Sequence, residues 1–147
     1  MAKYNLHEKK EKPAVYRTAI KPEVIDEIYE QLLKKLIVEK RYRDSTFTAQ
    51  QLAEEIHTNI RYISAAVSLR FQMNFSTLIA SYRVREAIAM MTDKRNRQLT
   101  MADIALASGF ANRQSFYAAF YRLHAKSPKQ YQDEFFARLG QTKKTKS

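Results

Sequence analysis

Apolar and polar positions follow helical spacing along most of this chain, and one stretch of the pattern occurs twice. FTAQQLAEEI (residues 47–56) leads through a short turn into IRYISAAVSLRF (60–71). LTMADIALAS (99–108) leads through GFA into NRQSFYAAFYRL (112–123). Phe47, Thr48, Leu52 and Ala53 match Leu99, Thr100, Ile104 and Ala105 at an offset of 52; past the turn, Asn59, Ile63, Ala66 and Val67 match Asn112, Phe116, Ala119 and Phe120 at an offset of 53. Each copy predicts a capped helix, a tight turn and a second capped helix, which is the order of a helix-turn-helix.

The caps come in matched positions. Thr48 caps the first helix, Gln51 three residues on completes a capping box, and Phe47 and Leu52 form a hydrophobic staple. In the second copy Thr100 caps, Asp103 three residues on sits near the positive helix end, and Leu99 can staple to Ile104. Asn59 and Asn112 cap the second helices. Gly109 suits a left-handed residue closing the helix before it, and His57 holds the matching place. The second helices turn Ile63, Val67 and Phe71, and Phe116, Phe120 and Leu123, toward a core.

Three further helices surround the copies. Residues 23–40 carry Val24, Ile25, Ile28, Leu32 and Leu36 near helical spacing, with Pro22 in the first turn and acidic residues at its positive end. That apolar face either packs on the domain or pairs with a partner, as a homodimer contact or a dock for an upstream sensor. Residues 72–75 form a turn. Residues 76–91 form a long amphipathic helix with Leu78, Ile79, Tyr82, Ala87, Ile88 and Met91 available for burial, and 92–98 a polar basic loop. Ser127-Pro128 starts a last helix that buries Tyr131 and Phe135. The expected architecture is all-α, about seven to eight helices, with two helix-turn-helix subdomains joined by a long linker helix. Its expected divisions are a flexible segment (1–21), a helical lead-in (22–45), a binding domain (46–139, split as 46–74, 75–98 and 99–139) and a basic tail (140–147).

Composition narrows the function. Two glycines and three prolines leave little turn chemistry for sheets. With no cysteine, disulfide scaffolds and thiolate metal sites are excluded. No signal segment and no apolar run of 18 residues occurs, so the sequence as it stands predicts no export and no membrane span. The net charge is +11: 9 basic and 7 acidic residues fall in 1–40, 14 and 8 in 41–140, and three lysines in 141–147. The excess lies in the repeated region and the tail, and favours a polyanion, nucleic acid first.

The second helix of each copy has the two faces that reading DNA requires. Ile63, Val67 and Phe71 anchor the first; Arg61, Ser64, Ala65 and Ser68 are left on its free face. Phe116 and Phe120 anchor the second; Arg113, Gln114, Tyr117 and Ala118 are free. Arginine pairs two-pronged with guanine, glutamine with adenine, and tyrosine or alanine touches a thymine methyl. Bases are read near the start of such helices, where Arg61, Arg113 and Gln114 lie. Thr48, Asn59, Lys94, Arg97, Asn112 and Lys126 are candidates for the phosphate backbone. A helix over 76–91 spans roughly 24 Å, short of the ~34 Å between successive major-groove segments. Offset docking or DNA bending would close the difference.

Other chemistries have less support. His7, His57 and His124 are scattered, and no HExxH, P-loop or glycine fingerprint occurs. Glu54, Glu55 and His57 occupy helix positions that point apart. No enzyme activity, cofactor or metal is expected. A helical protein-interaction adaptor without DNA-sequence specificity is the alternative. RNA is disfavoured, since a major-groove helix does not enter the narrow A-form groove.

From Thr46 to Phe135 the chain resembles the AraC/XylS family of bacterial transcription regulators. The likeness is carried by LAEEI (52–56), Tyr82 to Ala87 with Met90 and Met91, IALASGF (104–110), Phe116, Phe120 and SPKQY (127–131). The resemblance implies seven short helices, two helix-turn-helix subdomains and a linking helix. It implies double-stranded promoter DNA as partner, activation by contact with RNA polymerase, and a bacterial cytoplasmic, nucleoid-associated location. It carries base reading to Arg61, Ser64, Arg113, Gln114 and Tyr117, and a structural role to Arg83. Ala65 and Ala118 stand where members often have Arg, Gln114 where Ser is frequent, Gln72 and Ala125 where Gly is frequent, and Gln132 where Arg is.

Overall fold

The computed structural model describes residues 20–146, with side chains through residue 140. Most of the expected flexible N-terminal segment (1–19) lies outside the described residues. Among those described there are seven α-helices and no strand, as the spacing of apolar positions required. The described chain divides into two compact units, one built from residues 20–39 and 48–78, the other from 40–47 and 79–146.

The first unit holds α1 (Pro22–Leu33), α2 (Ala49–Glu55) and α3 (Ile60–Phe71). Past α1 the chain widens into a π-helical turn, Lys34–Val38. Ile25, Ile28, Leu32 and Leu36 are buried, each stabilising the fold by roughly 1.5–3 kcal/mol. The helix packs on α3. Arg70 of α3 pairs with Asp26, the Tyr29 and Phe71 rings lie 5.6 Å apart, and Lys35 reaches Glu55 of α2 at 3.1 Å. Ile25, Ile28, Leu32 and Leu36 of the 23–40 helix are therefore packed inside its own unit, with Val24 half-buried beside them. Thr48 accepts from the Gln51 N–H at 3.1 Å, while the reciprocal arm of the expected box is not formed among the described residues. α4 (Phe75–Met91) follows, its start capped by Asn74, which accepts from the Thr77 N–H at 2.8 Å.

In the second unit α4 contributes Ala80, Val84, Ala87 and Met91 to a core completed by Ile104 and Ala105 of α5 (Met101–Ala107) and Phe116, Ala119 and Phe120 of α6 (Arg113–His124). The capping box at α5 is complete: Thr100 accepts from the Asp103 N–H at 3.0 Å and Asp103 from the Thr100 N–H at 2.9 Å. Buried Ser108 is satisfied by the Ile104 and Ala105 carbonyls at 2.8 and 3.1 Å. α7 (Pro128–Lys146) runs past 139, so the backbone expected as a basic tail is helical through 146.

A polar clamp holds the connector 41–44 to α4. Arg83 donates from Nε to the Tyr42 carbonyl at 2.6 Å and from its guanidinium to the Asp44 carbonyl at 3.0 Å. The Tyr42 hydroxyl donates to Glu86 at 2.6 Å, and Arg43 also pairs with Glu86. Burial and the Glu86 carboxylate push the Tyr42 phenol up to about 12. Burial opposes charge on Glu86, yet the hydrogen bonds from Tyr42 and Arg43 hold its carboxyl below the ordinary value. The structural role implied for Arg83 is thus its observed one.

Several core assignments shift. Ala65, expected on the free face, is buried at 5% exposure, because α1 and α2 both pack on α3 and widen its covered arc. Leu123, expected inside, is 36% exposed; it sits in the last turn of α6. Phe71, Tyr131 and Phe135 are only half-buried.

Helices α3 and α6 end on Gln72 (φ 56) and Ala125 (φ 58), both left-handed. A side chain there crowds the following carbonyl. Gln72→Gly and Ala125→Gly are each expected to raise stability by about 0.5–1 kcal/mol, read as a higher urea midpoint with an unchanged slope.

Candidate nucleic-acid interface

Helices α3 and α6, the second helix of each copy, each start on an asparagine whose side chain takes up a first-turn donor. Asn59 accepts from the Tyr62 N–H at 2.9 Å and Asn112 from the Ser115 N–H at 2.8 Å. The caps fix the rotation of the helix relative to the incoming chain, and so fix which residues of the first turn point outward.

In α3, Ile63, Ala66 and Val67 are fully buried, and Arg61, Ser64 and Ser68 are exposed. The Arg61 guanidinium lies 5.7 Å from the centre of the Tyr62 ring. In α6, Phe116 and Phe120 are fully buried, while Arg113, Gln114 and Ala118 are exposed and Tyr117 is 38% exposed. A chain of rings runs from this core to the surface. Phe120 stacks edge-on with Phe116, Phe116 lies 5.8 Å from Tyr117, and the Arg113 guanidinium lies 5.8 Å from Tyr117. A cation held over a ring loses less freedom on meeting a ligand. Neither Ser64 nor Gln114 spends its side chain on a hydrogen bond among the described residues, so both can offer it to a partner.

Tyr121, 63% exposed, escaped the sequence reading. It continues the stripe from Arg113 and Tyr117 at steps of four, and that spacing was the available signal.

The backbone-contact candidates divide. Thr48, Asn59 and Asn112 are exposed but commit a side-chain oxygen to capping. Lys94 and Arg97 are exposed on and beside the short turn Lys94–Asn96. Arg95 of the same turn is neutralised by Asp93 at 2.7 Å; its hydrogen bonds hold the Asp93 carboxyl down at about 2. Lys126 is half-buried and paired with Glu134 at 2.5 Å, which makes it the least available cation of the set. Among the described residues no group of His, Asp and Glu could hold a metal, and no helix is long and apolar enough to cross a membrane.

Residues 52–134 match the helix-turn-helix domain family. Over 88 residues, 60% of this chain, the sequence is 27% identical to the melibiose operon regulatory protein of Escherichia coli K12, of which the match covers 28%. The fold is similar to the C-terminal domain of the two-component response regulator yesN from Fusobacterium nucleatum: TM-score 0.61, 26% identity, covering 71% of this chain and 98% of that one. It also resembles the C-terminal domain of AraT, a response regulator from Geobacillus stearothermophilus, at TM-score 0.62 and 20% identity over 79% of this chain and 88% of that one.

Proposed function

The chain belongs to the AraC-type family of helix-turn-helix domains, and from that premise we propose that it is a sequence-specific regulator of transcription whose domain 46–139 reads two adjacent major-groove segments of promoter DNA with α3 and α6. The observation that carries the reading is the pairing of faces on both helices: a buried apolar stripe opposite an exposed polar one, each beginning at an asparagine cap. Arg61 and Ser64 read bases from α3; Arg113, Gln114 and Tyr117 read them from α6. Lys94 and Arg97 contact phosphates, and the +11 charge supplies the sequence-independent attraction. The likeness to an operon regulatory protein supports action at a promoter. Activation through RNA polymerase in a bacterial cytoplasm belongs to the same proposal.

Selection from random duplexes with the purified chain tests it. Two short boxes about one helical turn apart, ~10 base pairs, are expected. Enrichment of no sequence would leave the adaptor reading in its place. Arg113→Ala and Gln114→Ala are each expected to weaken binding by about 1–3 kcal/mol and to relax selection at single base pairs. Lys94→Ala and Arg97→Ala should weaken all duplexes alike and reduce the salt slope by about one unit each. Unchanged base preferences in the first pair, or unchanged slopes in the second, would remove those residues from the interface.

A further inference from the structure

Within the first unit, between α1 and the turn joining α2 to α3, lies a half-open cavity of about 480 Å³. Its apolar side is formed by Val24 and Ile28 of α1 with Ile56 and Tyr62; Glu27 and His57 stand on its polar side. The volume falls in the ~300–1,000 Å³ range of small-molecule sites. It cannot hold the ~800 Å² that each partner contributes to a stable protein interface.

The duplication shows that this space is not a requirement of the motif. At the matching turn of the second copy the chain is closed on Gly109, where an added Cβ would lie 2.1 Å from the Tyr42 carbonyl and 2.8 Å from the Arg43 Cα. At the first copy's turn the neighbouring element stands off, and the left-handed place is filled by His57 at φ 60 rather than by glycine. A non-glycine residue there costs on the order of 1 kcal/mol, the same cost that Gln72 and Ala125 bear at their helix ends.

Charge decides the class of ligand. Glu27 makes no ion pair among the described residues, whereas Glu55, also at the cavity, is shared with Lys35 at 3.1 Å. A carboxylate that no described residue pairs, beside an apolar wall, suits an ammonium carried on a short apolar body. We propose that this cavity binds a small cationic amphiphile, its ammonium on Glu27 and its body against Ile28, Ile56 and Tyr62. The site adjoins Asn59, the cap of α3, so an occupant would bear on the start of a recognition helix. The binding claim itself is independent of the DNA reading.

Amide NMR of the full 147-residue chain, titrated to millimolar concentration with phenethylamine and in parallel with hydrocinnamate, tests the proposal. Saturable shifts at residues 55–58 and 62 are expected with the amine and not with the carboxylate. Glu27→Gln, at an exposed site that does not endanger folding, should weaken the amine about tenfold. No saturable shift with the amine, equal responses to amine and carboxylate, or undiminished affinity in Glu27→Gln would each overturn it.

Discussion

Gly109→Ala is expected to lose roughly 3–5 kcal/mol of stability, from a left-handed backbone and an overpacked contact together. Glycine sits there at φ 109, and the missing Cβ leaves room for the Tyr42 carbonyl, the Arg43 Cα and the Arg83 Nε, at 2.1, 2.8 and 3.0 Å from where that carbon would be. Two of these neighbours are backbone and cannot rotate away. The third belongs to the clamp through which Arg83 holds the Tyr42 and Asp44 carbonyls, so the insertion also pries that clamp apart. His57→Ala is the matched control. It sits at the same place of the first copy, already carries a Cβ at φ 60, and should move stability by less than about 1 kcal/mol. Urea denaturation of both variants decides; equal effects at the two turns would mean that the close approach at Gly109 is not what demands glycine.

Leu32→Ala is expected to cost about 2–5 kcal/mol. Leu32 is fully buried in α1, in line with Ile25, Ile28 and Leu36, and the helix packs on α3. Deleting the side chain removes its transfer energy and leaves a hole that two helices cannot close without moving the Arg70–Asp26 pair and the Tyr29–Phe71 stack. A lead-in helix that served only association would instead show near-neutral stability and a change in oligomeric state. Chemical denaturation with sedimentation on the same samples separates the two. Loss of DNA affinity in step with loss of fold would place α1 among the supports of the first reading helix.

Particular residues show how far the sequence could be read. Thr48, Asn59, Thr100 and Asn112 were legible as caps because a cap is a local event, settled by an oxygen and an N–H three residues away. His57 and Gly109 were legible as left-handed by their place after an apolar run. Phe116 and Phe120 followed from period alone. Ala65 did not. A methyl group carries no strong preference, and its burial depends on α1 arriving from some 40 residues earlier to share α3 with α2. Leu123 failed for the opposite reason, since the apolar period continues to the end of a helix whether or not a core does. The Arg83 clamp needed the connector 41–44 to come down on α4, a contact between segments distant in the chain.

Helix order, caps, the repeat and the two polar stripes were determined by residues within a turn or two of one another, where spacing and hydrogen-bonding range leave few alternatives. Which apolar face α1 spends and on whom, why Gly109 admits no side chain while His57 keeps one, and where a cavity remains were decided by tertiary packing. Those outcomes depend on what a second segment places within a few ångströms, and close packing makes that neighbour's position, rather than local propensity, the controlling term.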